Sequence, residues 1–115
     1  SPEEGYSGLY LYRPSAFGGA LKKDIWINGK CIGETAPHMF FYETVESDQE
    51  YKISTESEFS PNVIAINPES GKNYYIKQYI TPGLFVGGAG LKLVSAEKGK
   101  KEVSKLELAK TGSCS

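Results

Sequence analysis

Apolar and polar residues alternate along most of this chain, and turn residues interrupt the alternation at short intervals. Gly8-Leu9-Tyr10-Leu11-Tyr12-Arg13 sets Leu9 and Leu11 on one face and Tyr10 and Tyr12 on the other. This is strand periodicity, and Pro14 ends it because proline cannot donate to a ladder. Asp24-Ile25-Trp26-Ile27-Asn28-Gly29-Lys30-Cys31-Ile32-Gly33-Glu34 holds two such runs around an Asn-Gly pair. Both central residues of a type I′ turn need positive φ, which Asn and Gly supply. A hairpin with strands at 23–27 and 30–34 is therefore predicted.

Met39-Phe40-Phe41-Tyr42-Glu43 reads as a short apolar strand and Glu46-Ser47-Asp48-Gln49 as a turn. Between Glu50 and Ser57, Tyr51, Ile53 and Thr55 face one way and Lys52, Ser54 and Glu56 the other. Asn62-Val63-Ile64-Ala65-Ile66 is β-branched enough for a core strand. Asn73 to Ile80 is the longest run. The turn Pro68-Glu69-Ser70-Gly71-Lys72 is expected to fold these two strands into a second hairpin. Leu91 to Val94 adds a short strand. Ser95 is placed to cap a helix over 96–104, with Glu97 favouring the dipole in its first turn. Lys105 to Ala109 alternates and suits a last edge strand. The pattern predicts a mainly β fold: a small antiparallel β-sandwich or partly open barrel of about eight short strands with one C-terminal helix. Residues 8–110 are expected to form it, with 1–7 as a linker and 111–115 as a tail.

The chain has 115 residues, enough for one domain with one modest core. Its 8 Tyr, 5 Phe and 1 Trp supply bulk to bury, which argues against disorder. A formal net charge of −1 gives no sign of a nucleic-acid binder. The densest basic run, Lys98-Gly99-Lys100-Lys101, is answered by Glu97 and Glu102 and reads as a solvated helix face. No run is apolar for long enough to span a membrane. Cys31 and Cys114 have neither metal-site nor redox-motif spacing. They either pair, fastening the tail to the first hairpin, or remain a buried thiol and a tail thiol. Pairing is expected, because a tail of Thr111-Gly112-Ser113-Cys114-Ser115 would otherwise fray. In the chain-entropy model such a bridge contributes at most about 4.5 kcal/mol.

Catalytic chemistry finds few residues to work with. His38 is the only histidine and stands beside Pro37 and an aromatic run, where a structural role is the ordinary one. One His and two distant Cys do not make a zinc set. Glu56 with Glu58, and Glu43 with Glu46, are carboxylate pairs of the kind any chain with 14 acids contains. Gly87-Gly88-Ala89-Gly90 lacks the helix and acidic partner of a nucleotide site and reads as a tight connection. No catalytic residue, metal or cofactor is expected. The best candidate surface is apolar: Phe17 in one glycine-rich loop, and Leu84, Phe85 and Val86 in another. These side chains either complete the core or bind a partner. Tyr10, Tyr12, Tyr75 and Tyr79 share one face of two strands and are expected to form a layer beneath the helix.

Leu9-Tyr10-Leu11-Tyr12-Arg13-Pro14, Ile27-Asn28-Gly29-Lys30-Cys31-Ile32-Gly33-Glu34 and Gly71-Lys72-Asn73-Tyr74-Tyr75-Ile76-Lys77-Gln78 occur in that order. Leu91-Lys92-Leu93-Val94 and Gly99-Lys100-Lys101 follow. The set resembles a bacterial domain-of-unknown-function family, number twenty-eight forty-six, whose members are often small envelope lipoproteins. The hairpin and the Tyr-Tyr strand are also similar to PEGA-type and transthyretin-like sandwiches. The resemblance runs from Gly8 to Ala109 and carries no catalytic residues. The lipid-attachment cysteine of the lipoprotein members is missing, and Ser1-Pro2-Glu3-Glu4 looks like the segment that follows it. The resemblance implies export to an oxidising periplasm or envelope, with membrane contact only through an upstream lipid anchor. That location favours the Cys31–Cys114 pair. The expected function is a non-enzymatic structural or protein-binding module with an envelope protein as partner. The alternative is a domain that binds a small apolar or carbohydrate ligand through loop 83–90 and the aromatics.

Overall fold

Both faces of the first strand are buried, and the layers are arranged around it. The structure, a computed structural model, describes residues 1–14, 22–57, 61–81 and 88–114. Strand β1 (Tyr6–Arg13) sends Leu9 and Leu11 to one side and Tyr10 and Tyr12 to the other, as the alternation predicts. It lies in the middle of a five-stranded sheet with β4 (Met39–Glu46), β7 (Asn73–Thr81), β8 (Gly88–Val94) and β9 (Glu107–Leu108), in the order β8-β7-β1-β4-β9. The second sheet holds β2 (Lys23–Ile27), β3 (Lys30–Thr35), β5 (Tyr51–Thr55) and β6 (Asn62–Ile66), in the order β3-β2-β5-β6.

The sheets face each other across an apolar centre. Leu9, Leu11, Phe41, Ile76 and Leu91 meet Ile25, Ile27, Ile32, Tyr51, Ile53 and Ile66. Helix α1 (Ala96–Val103) covers the far face of the five-stranded sheet, where Tyr12, Tyr75 and Val103 are buried with Tyr10, Phe40, Val94 and Leu106 around them. Tyr10 and Tyr75 stack with ring centroids 4.7 Å apart. The expected sandwich with one C-terminal helix is therefore present, and its two sheets do not close into a barrel.

The β2–β3 hairpin forms at Asn28 (φ 49°) and Gly29 (φ 78°), both in the left-handed region its turn requires. Two pairings differ from the antiparallel expectation: β1 runs parallel to β7, and β4 parallel to β9. The second hairpin is also not formed. β6 pairs with β5, whereas β7 joins β1 and β8. The turn between β6 and β7 is held by the start of β1 and by the β4–β5 turn instead. Gly71 N donates to Tyr6 O at 2.8 Å, Gly8 N donates to Lys72 O at 3.0 Å, and Asp48 N donates to Pro68 O at 2.9 Å. These bonds send β7 alongside β1 in the other layer.

Ser95 caps α1 by accepting from Lys98 N, with Glu97 in the first turn, as its sequence predicts. The helix sits low on the sheet because Gly99 presents no side chain to the Tyr75 ring. A methyl group there would overlap the buried ring. Gly99→Ala is predicted to lower stability by roughly 1–3 kcal/mol through overpacking, despite the ~1 kcal/mol that alanine contributes inside a helix. Urea midpoints would check this. A stabilised variant would mean that α1 does not rest on Tyr75.

Candidate functional site

Among the connections at one end of the sandwich are those from β1 to β2, from β5 to β6, and from β7 to β8; the short β3-to-β4 turn lies at the same end. The β1–β2 and β7–β8 connections carry the sequence-predicted residues Phe17, Leu84, Phe85 and Val86, which lie outside the described residues. What the structure describes is the set of strand ends that these connections join, and the floor they form is polar. Arg13, Asp24, Thr35, Thr55 and Gln78 are all buried there.

Hydrogen bonds join the Gln78, Thr35 and Thr55 side chains across the two layers, and main-chain groups tie in Arg13 and Asp24. Gln78 of β7 donates through Nε2 to Thr55 Oγ1 on β5 at 2.8 Å, and its Oε1 is hydrogen-bonded to Thr35 Oγ1 on β3. Thr55 Oγ1 in turn donates to Asp24 O at 2.8 Å. Arg13, at the end of β1, donates through Nη1 to Thr35 O at 3.1 Å. Burial lowers the affinity of its guanidinium for the proton. Glu56, just past β5, accepts from Asp24 N at 3.0 Å with its carboxylate and from Ala89 N at 3.2 Å with its carbonyl. Asn62 Nδ2 donates to Ala89 O. Strand ends from both sheets are thus fixed relative to one another at the roots of the connections. Such a network fixes geometry more than it adds strength, since each bond replaces one to water.

The sequence carried a signal for this floor that periodicity alone did not interpret. Arg13 shares the face of Leu9 and Leu11, Thr55 that of Tyr51 and Ile53, and Gln78 that of Ile76. A polar residue at the inward position of a strand end marks a place where two layers meet through hydrogen bonds.

The other candidates are distributed elsewhere. Tyr10, Tyr12 and Tyr75 come together beneath α1, while Tyr79 stays 41% exposed on the same face. His38 is exposed at φ 64° in the turn into β4, where its N–H donates to Arg13 O and its carbonyl accepts from Glu107 N. Among the described residues no group of His, Cys, Asp and Glu is placed to hold a metal ion. Gly88, Ala89 and Gly90 belong to β8. Glu56 is engaged in the polar floor, Glu43 accepts from Thr111 at 2.9 Å, and Glu58 lies outside the described residues.

Cys31 and Cys114 form a disulfide with Cα atoms 5.9 Å apart. It ends a strap that runs down the open side of the sandwich. Ala109 N donates to Phe40 O on β4 and Gly112 N to Ile32 O on β3, each at 2.8 Å. The strap therefore spans both sheets and covers the seam between β4 and β3. An uncovered edge is a template for unwanted pairing.

On the helix side, Glu102 joins α1 to the sheet. Tyr12 Oη donates to it at 2.6 Å and Lys77 Nζ lies 3.2 Å away. Burial pushes its pKa up. The bonds from Tyr12 and Lys77, with the charges of Lys77 and Lys98, outweigh that and hold the carboxyl below its ordinary range. Burial and the same carboxylate push the Tyr12 phenol well above its usual pKa.

A family described as a protein of unknown function, DUF2846, matches residues 3–89. A relative from Haemophilus influenzae, described only as an uncharacterized protein, is 60% identical over 109 residues. That match covers 95% of this chain and 64% of the relative, so the chain spans just under two thirds of that protein. No solved structure matches. The likeness to PEGA-type and transthyretin-like sandwiches thus rests on the sequence pattern alone. No helix among the described residues is long and apolar enough to cross a membrane.

Two outcomes are expected. Intact mass and thiol alkylation will find no free thiol until reduction, and Cys114→Ser will cost about 2–4 kcal/mol; two freely alkylated thiols in oxidised protein would refute the bridge. The second concerns acid. The unfolded chain binds the Glu102 proton more readily than the folded one, so the stabilisation is complete above the ordinary carboxylate range. It is lost as pH falls through the depressed folded value. Denaturant titrations of Glu102→Gln will lack that part of the acid slope, and an unchanged slope would remove Glu102 as its source.

Proposed function

The chain belongs to the DUF2846 family, and from that premise we propose that it is a non-enzymatic binding module of the bacterial envelope, docking a partner protein through the loop end of its sandwich. The observation that carries this reading is the polar floor. Arg13, Asp24, Thr35, Thr55 and Gln78 fix the strand ends from which two apolar, glycine-rich connections rise. Binding residues on loops work best when a rigid scaffold fixes their roots. The apolar residues Phe17, Leu84, Phe85 and Val86 are the contacts this reading assigns to the partner.

The disulfide supports the location. A bridge that closes the seam of a small sandwich is of most use where thiols are kept oxidised, as in the periplasm. The lipid tether suggested by the lipoprotein resemblance is proposed together with that location.

Photo-crosslinking in living cells tests the docking. A crosslinking residue at Leu84 or Phe85 is expected to give a discrete adduct with one envelope protein, and one at the exposed Lys52 is expected to give none. Identical adducts from all three positions, or none from the loops, would count against docking at this end.

A further inference from the structure

The helix-bearing side of the molecule holds more positive charge than its own acids neutralise. Charge is divided along the chain. Residues 1–69 contain 11 acids against 5 basic residues, whereas residues 70–115 contain 8 lysines against 3 acids. The fold gathers much of the second group on one surface. Lys77 and Lys92 are register partners across β7 and β8, on the face that also carries Tyr75 and α1. Like charges at opposed positions repel.

Glu102 is the carboxylate set among them. It already accepts from Tyr12, binds Lys77 at 3.2 Å, feels the charge of Lys98, and lines a cavity with Lys105. One carboxylate engaged twice is thus shared by several lysines. Lys92, Lys98, Lys100, Lys101 and Lys105 are all exposed, and Glu97 is the other acid on α1. Taken alone, the Lys98–Lys101 run is a solvated helix face; the fold adds Lys77 and Lys92 from the sheet beside it.

Tyr79 completes the surface. It lies two residues beyond Lys77 on the same face of β7, and its ring lies against Gly90 of β8. With 41% of its surface open to solvent, it is a rigidly backed, amphipathic ring beside a group of lysines.

From this juxtaposition we propose that the helix-bearing face docks on an anionic phospholipid surface. The cations are spread over two strands and a helix, which suits many headgroups at once. A half-exposed tyrosine is the side chain that settles at headgroup depth. A chain whose other residues are mainly acidic is poorly suited to follow a nucleic acid. The acidic part instead helps to orient the molecule, since a charged surface repels it. This inference does not rest on loop-end docking: alanine at Phe17, Leu84 and Phe85 is expected to leave vesicle binding unchanged.

Cosedimentation of the full chain with vesicles tests it. At low salt the protein is expected to bind vesicles of phosphatidylglycerol and phosphatidylcholine but not phosphatidylcholine alone, and to be released at high salt. Lys92→Gln combined with Lys98→Gln is expected to lower the partition coefficient about 25-fold, from roughly fivefold per lysine. Lys30→Gln with Lys52→Gln, two exposed lysines on the other sheet, is expected to leave it unchanged. Equal binding to the two vesicle types would overturn the proposal, as would an equal loss from the control pair. Lysine-dependent binding to heparin with none to vesicles would also overturn it, assigning the face to a polymeric anion.

Discussion

β1 is dry on both faces, and the remaining layers are fixed by that constraint. Leu9 and Leu11 need an apolar layer on one side, and the four-stranded sheet provides it. Tyr10 and Tyr12 need cover on the other, and α1 provides it. A strand buried on both faces cannot lie at an edge, so β1 takes β4 on one side and β7 on the other. Burial of such side chains is worth roughly 1.5–3 kcal/mol each relative to exposure. This accounts for the way the chain returns to β1 from distant positions. The β1–β7 pair is parallel because the turn before β7 is bonded to the beginning of β1.

Along the direction of the strands, the space between the sheets changes character. Its middle is closed by isoleucine, leucine and phenylalanine, which fill space without prescribing geometry. At the loop end the contacts pass to a glutamine, two threonines and an arginine, whose bonds are directional. One end of the molecule is thus positioned more tightly than apolar contacts alone would achieve. The strap and disulfide act on the flank, where the two sheets meet side to side.

Much of this was legible in the sequence, and where it was not the reason is physical. Alternation separated Leu9 and Leu11 from Tyr10 and Tyr12, Asn28-Gly29 located its hairpin, and Ser95 located its helix. Each of these is decided by residues within a few positions of one another. The failure at Pro68–Lys72 was of another kind. Its residues do form a turn, but partners some sixty positions away decide which sheet follows. The parallel pairs were hidden for the same reason. The polar floor was visible only as polar residues at inward positions, and nothing local says that Gln78 will meet Thr35 and Thr55. The loop residues Phe17, Leu84, Phe85 and Val86 lie outside the described residues, so their part in the fold is not read from it.

The parallel pairing of β1 with β7 also governs how this chain must assemble. The β2–β3 hairpin and the β5–β6 pair arise from neighbouring segments and can form early, whereas β1 waits for a strand from the far half of the sequence. Long-range pairing of this kind slows folding, because chain entropy is lost before any contact repays it. During that interval Leu9 and Leu11 sit on a strand with an unsatisfied edge, open to the β7 of another molecule as readily as to their own. A polypeptide threaded across a membrane from its amino end would prolong the interval, since β1 emerges before β7. For such a chain, a chaperone that shields an extended apolar strand would matter most before the second half arrives.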